Sequence, residues 1–153
     1  MPVSVDTVSR VLLDVVPPIM RTIKHTWKEG PICGISNPQF RILMFIQKQP
    51  GAALQDVARH VGLASPTAST TVDELVNNQL VLRESSTEDR RKITLTLTEL
   101  GQQTLEEVHE HSRQYLAGYL SSLSSEEAEI VFQALKILEP LFSSRQKELM
   151  ENE

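Results

Sequence analysis

The chain has 153 residues, 40% of them hydrophobic, enough for one compact domain or two small modules with a real core. Its formal charge is −5, and its single cysteine, Cys33, excludes an intramolecular disulfide and fits a reducing compartment. Met1-Pro2-Val3-Ser4-Val5-Asp6 is no basic leader, Asp14 interrupts the apolar run that follows, and no stretch approaches the length of a membrane span; a cytoplasmic protein without a signal peptide or membrane partner is expected.

From about Val3 to Glu29 the pattern is helical, with Pro17-Pro18 predicting a break or kink near Val16 and Gly30-Pro31 ending the segment. A second helix is predicted from Asn37 as N-cap, with Pro38 at its first position, through Phe40, Leu43, Met44 and Ile46 to about Gln49. Leu54, Val57, Ala58 and Val61 then recur at i, i+3, i+4 and i+7, one apolar face of a short helix, with Gly62 where a left-handed residue belongs. Ser65 is predicted to cap the next helix, with Pro66 at its first position and a buried stripe of Ala68, Val72, Leu75 and Val76. Two short amphipathic helices joined through Gly62-Leu63-Ala64 make a helix-turn-helix, with small Ala58 permitting a close crossing.

Two strand patterns follow. Leu80-Val81-Leu82 is a short apolar run ending in Arg83, and Ile93, Leu95 and Leu97 alternate with Thr94 and Thr96, the aliphatic side chains facing inward. With Ser85-Ser86-Thr87-Glu88 between them they form a β-hairpin whose end carries Arg90, Arg91 and Lys92. Thr98 caps a long fifth helix through Leu105, Val108, Tyr115, Leu116 and Tyr119. Ser124 and Glu127 form a capping box opening a sixth, with Ile130, Val131, Leu135, Leu138, Leu141 and Phe142 as its apolar positions and Pro140 as a kink. The fold class is therefore mainly α with a small β-hairpin wing: a winged helix-turn-helix over residues 37–98, flanked by helices in 1–36 and 99–153.

Composition alone does not say nucleic acid, since residues 64–95 hold four cations against five anions. Phosphate contacts depend on local charge, however, and Arg90-Arg91-Lys92 is strongly basic. A thin hairpin with arginine near its end suits a narrow, electronegative minor groove. On the preceding helix, Pro66, Thr67 and Thr70 face outward near the start with Ser69 on the flank. Their hydroxyls suit phosphates or bases and their methyl groups suit thymine.

The run Asp89–Gly101 fits Asp-Arg-Arg-x-x-x-Leu-x-Leu-Thr-x-x-Gly at every fixed position. In this, and in the helical segment upstream, the chain resembles the MarR family of bacterial transcriptional regulators. The resemblance implies a homodimeric DNA-binding regulator, a repressor released by a small-molecule effector, with a pseudo-palindromic operator. It implies minor-groove contact by Arg91 and stiffening of the wing by Asp89; beside it, Arg90 and Lys92 read as phosphate contacts, and Ser65, Pro66, Thr67, Ser69 and Thr70 as the DNA-facing residues of the helix. It also implies dimerisation through the terminal helices. Thr70 stands where such proteins often carry arginine, and Gln79 where they usually carry glycine before the first wing strand.

Other readings are weaker. A winged-helix module for protein–protein contacts fits the low local basicity but not the Arg90-Arg91 wing. No enzyme constellation is visible and no cofactor is implied. His109 and His111 are two apart on a helix and point to different faces, so no metal site is expected with Glu106, Glu107 and Glu110. Cys33, with only Lys28 as a nearby cation in sequence, reads as a buried, inert thiol. His25, Trp27, Phe40 and Met44 are candidate effector-pocket linings and equally good core residues.

Overall fold

The computed structural model describes residues 2–28, 30–85 and 93–151, the last eight of these by backbone alone. In chain order the elements are α1 (Val5–His25), α2 (Asn37–Lys48), β1 (Ala52–Ala53), α3 (Leu54–Val61), α4 (Ser65–Asn77), β2 (Val81–Ser85), β3 (Ile93–Leu97), α5 (Glu99–Leu120) and α6 (Ser125–Glu151). The chain divides into two compact units, Met1–Tyr115 and Leu116–Glu153.

The core of the first unit forms where the apolar faces of α2, α3, α4 and α5 meet one face of the sheet. Ile42, Leu43 and Ile46 of α2, Val57 of α3, Val72 and Leu75 of α4, Leu95 of β3 and Leu105 and Val108 of α5 are all fully buried. The sheet is antiparallel in the order β1-β3-β2. Its first strand is only two residues long and pairs Ala52 with Leu95 and Ala53 with Thr94. Sequence periodicity had nothing to grip in so short a strand. The hairpin pairs Val81 with Leu97 through to Ser85 with Ile93. Ile93 is 41% exposed rather than inward, because this far end of the hairpin extends past the core that buries Leu95.

Several helix boundaries differ from those predicted, each for a local reason. α1 runs unbroken through Pro17 and Pro18. The two prolines leave the carbonyls of Leu13 and Asp14 without helical donors, but both residues are exposed, so water can take those carbonyls. The helix stops at His25, before Gly30. α2 is capped by Ser36, one residue earlier than expected, in a full capping box: Ser36 Oγ accepts from Gln39 N, and Gln39 Oε1 accepts from Ser36 N. Ser65 is not a cap. Ala64 holds that position without a side-chain bond, which puts Ser65 and Pro66 in the first helical turn.

The two helices of the helix-turn-helix end alike. After α3, Gly62 takes φ +69°, Gly62 N donates to Arg59 O and Leu63 N to Ala58 O. After α4, Gln79 takes φ +59°, Gln79 N donates to Val76 O and Leu80 N to Leu75 O. Both are the paired closure that needs a left-handed residue, normally glycine. Gln79 holds that conformation with a side chain attached.

The start of α5 is clasped onto the exit of α4. Thr98 N donates to Leu80 O at 3.1 Å, Thr98 Oγ1 to Gln79 O at 2.6 Å, and Gly101 N to Thr98 Oγ1 at 2.8 Å. The N-cap expected at Thr98 is present, and so is the Ser124–Glu127 box before α6.

α1 has no buried residue although Val5, Val8, Val11, Leu13, Val15, Val16, Ile19 and Met20 are apolar and exposed. In the second unit, Ile130, Phe132, Leu135, Ile137, Leu141 and Phe142 of α6 are likewise exposed. No helix among the described residues is long and apolar enough to cross a membrane.

Candidate nucleic-acid interface

α4 is placed by its buried stripe. Ala68, Val72 and Leu75 are fully buried, and this fixes the opposite face outward. Ser65, Pro66, Thr67 and Thr70 are exposed at its start, and Ser69 is half-buried beside them, so the side chains expected to meet DNA do share one accessible surface. The helix contains no lysine, arginine or histidine.

Two threonine hydroxyls of the helix are already engaged. Thr70 Oγ1 donates to Pro66 O at 3.0 Å, and Thr71 Oγ1 to Thr67 O at 2.8 Å. Each is a back-bond to the preceding turn, the ordinary helical alternative to a solvent-facing hydroxyl proton.

The two carboxylates that follow on α4 are tied to neighbouring elements. Asp73 Oδ1 meets the guanidinium of Arg83 on β2 at 2.9 Å, linking the helix to the hairpin. Both partners are partly exposed, which limits the bond's worth to about 0–1 kcal/mol. Glu74 Oε2 accepts from Gln39 Nε2 at 3.0 Å, and Gln39 is itself 9% exposed at the start of α2. One glutamine therefore closes the α2 capping box and reaches across to α4. The Ser36-Asn37-Pro38-Gln39 spacing announced that box, but nothing in one sequence pairs Gln39 with Glu74, 35 positions away.

The hairpin stands next to α4, with Thr94 Oγ1 donating to Glu84 O at 3.2 Å across its strands. Asp89, Arg90, Arg91 and Lys92, expected at its end, lie outside the described residues.

Behind α2, Trp27 and Phe40 lie with ring centroids 5.2 Å apart, and the ring of His109 meets Phe40 edge-on at 5.6 Å. His109 Nε2 also lies 3.1 Å from Met44 Sδ. Three of the four expected pocket residues thus gather with His109, whereas His25 is exposed at the end of α1. On the α3 side, His60 stacks on Phe45 at 4.4 Å. Burial pushes the His60 imidazole pKa below its usual value, helped by the charges of Lys48 and Arg41.

Cys33 is exposed, not buried. Ile32 and Ile35 exchange two backbone hydrogen bonds of 2.9 Å around it, with φ +50° at Cys33 and +77° at Gly34. This two-residue turn buries the flanking isoleucines and lifts the cysteine into solvent. Among the described residues, no group of three His, Cys, Asp or Glu side chains could hold one metal ion.

The MarR family model matches residues 35–93, from the turn before α2 through the start of β3. The HTH-type transcriptional regulator BilQ of Clostridium symbiosum is 30% identical over 105 residues, covering 69% of this chain and 73% of that protein. The fold is similar to that of the transcriptional regulator Tm0710 from Thermotoga maritima, with a TM-score of 0.71 and 21% identity over 93% of this chain and 98% of that one. It is also similar to a mutant MepR of S. aureus bound to an oligodeoxyribonucleotide, with a TM-score of 0.60 and 23% identity over 88% of this chain and 98% of the other.

Proposed function

We propose, since this chain belongs to the MarR family of transcriptional regulators, that it acts as a homodimeric repressor whose operator binding is released by a small molecule. The observation that carries the DNA role is the pairing of an exposed Ser65–Thr70 helix start with a hairpin joined to that helix through Asp73–Arg83. In this reading Ser65, Pro66, Thr67, Ser69 and Thr70 face the major groove. Arg91 enters the minor groove, Arg90 and Lys92 meet phosphates, and Asp89 stiffens the wing. The MepR structure solved with an oligodeoxyribonucleotide supports the placement, because its fold is similar over most of this chain.

The homodimer is supported by apolar surface. α1, with no buried residue, and α6, with exposed Phe132, Leu135 and Phe142, present faces that a second copy would cover. We assign residues 1–36 and 99–153 to dimerisation and 37–98 to DNA binding. Effector release is supported by the route from the Trp27–Phe40–His109 cluster into α2, whose first turn is bonded to α4 through Gln39. A ligand entering that cluster would disturb α2 and thereby α4.

The test is binding to the promoter beside the protein's own gene, measured for wild type and Arg91→Ala across a salt series. Removing one groove contact is expected to cost on the order of 1–3 kcal/mol per wing, with an unchanged melting temperature and a shallower salt slope. The protected site should be a near-palindrome with half-site centres about 10 bp apart. A folded Arg91→Ala variant with wild-type affinity would remove the wing from the mechanism.

A further inference from the structure

We propose that Thr70, together with Thr67, makes α4 a reader of thymine methyl groups, so that each half-site places thymine beneath the start of this helix. The inference rests on reading α4 as the helix that enters the major groove.

A threonine hydroxyl has one proton. In Thr70 that proton goes to Pro66 O, and in Thr71 to Thr67 O. What Thr70 turns outward is then its γ-methyl and its oxygen lone pairs. The other exposed groups beside it are Ser65, the Pro66 ring and the Thr67 side chain, with Ser69 half-buried on the flank. Where Thr70 and Pro66 lie, the surface is therefore apolar and accepting.

Guanine presents N7 and O6, both acceptors, in the major groove, and its usual partner is arginine or lysine. α4 has neither, and its next outward side chains, Asp73 and Glu74, are carboxylates held by Arg83 and Gln39. Thymine alone among the bases presents a methyl there, and its partner adenine offers the N6 amino group to an acceptor. A methyl-and-lone-pair surface matches that edge and mismatches guanine.

The experiment uses the full chain. A random-sequence duplex library is selected for binding, and the resulting consensus is resynthesised with deoxyuridine in place of thymidine at the positions under α4. Each methyl removed is expected to weaken binding about fourfold, the value of burying one such carbon. Thr70→Val keeps a methyl and loses the hydroxyl with its lone pairs; whatever affinity it loses, it should retain the preference for thymine over uracil. Thr70→Ser keeps the hydroxyl and loses the methyl; its preference for thymine over uracil should shrink by about fourfold, to the part that Thr67 supplies. Melting temperatures check that both variants fold. Equal binding of thymine and uracil duplexes by the wild-type protein, or a consensus with guanine under α4, overturns this inference and leaves the DNA-binding role standing. Failure to select any sequence overturns both.

Discussion

Gly101→Ala should be the most damaging single-methyl change in the molecule's described helices, for a reason of contact rather than conformation. A Cβ built on Gly101 overlaps the Leu80 carbonyl oxygen and lies 3.0 Å from its carbon, both backbone atoms that cannot rotate away. Relief requires α5 to retreat by roughly an ångström, since carbon atoms pack at about 3.5–4.0 Å. That retreat stretches the clasp made by Thr98 with Leu80 O, Gln79 O and Gly101 N. Losing an N-cap costs about 1 kcal/mol, each further hydrogen bond about as much, and forced overpacking about 1–3 kcal/mol. Alanine's better helix propensity returns about 1 kcal/mol. The net loss should be about 3–5 kcal/mol, or a melting point lower by roughly 6–20 °C at about 2–4 °C per kcal/mol. The internal control is Gly118→Ala in the same helix, where a Cβ meets nothing within 4 Å and a gain of up to about 1 kcal/mol is expected. Urea melts of the three proteins at one fixed concentration decide the matter. Equal stability of the two alanine variants would refute the clash.

Gln79→Gly should stabilise the protein by about 0.5–1 kcal/mol in the same melts, because relief of a left-handed side chain worth about 1–2 kcal/mol exceeds the extra entropy of glycine in the unfolded chain. Gln39→Ala breaks the α2 capping box and strips Glu74 of its amide partner; a loss of about 1–2 kcal/mol is expected by urea melting, and Gln39→Glu should not restore it, since it sets one carboxylate against another. His60 should titrate below 6.5 when followed by NMR. Because the folded state binds that proton more weakly than the unfolded one, its contribution to stability is complete above 6.5 and is lost as pH falls through the folded value. His60→Gln should flatten that part of the stability–pH curve.

The helices and hairpin were legible because periodicity and punctuation agreed: Leu54 to Val61 then Gly62, Ala68 to Val76, and the Leu95-x-Leu97-Thr98 run. Boundaries were less so, because a capping side chain and its neighbour compete. Ser36 and Asn37 are both good caps, and the return bond from Gln39 selects Ser36. Ser65 ahead of Pro66 looked like a cap, but Ala64 already has the extended backbone that the position requires. The exposure of Cys33 is not legible in the sequence because it comes from a turn with two successive positive φ values, a conformation that the pair Cys33-Gly34 does not advertise.

The candidate site was legible at the level of residue type and not of bonding. Sequence gives Thr67 and Thr70 a face, but whether their hydroxyl protons point to solvent or to the helix decides what bases they can serve, and only the 3.0 Å bond to Pro66 O answers that for Thr70. The same holds for charge. A helix without a cation and with two carboxylates looks unsuited to DNA until Asp73 is found on Arg83 and Glu74 on Gln39. Those two bonds occupy the carboxylates with neighbouring elements and brace the helix from both sides, against the hairpin and against α2. In the proposed mechanism they leave attraction to phosphate to the wing and leave α4 to shape and methyl recognition. A regulator of net charge −5 can then hold DNA through a small basic wing while the rest of its surface repels it, so its affinity should fall steeply with salt and its discrimination between sequences should not.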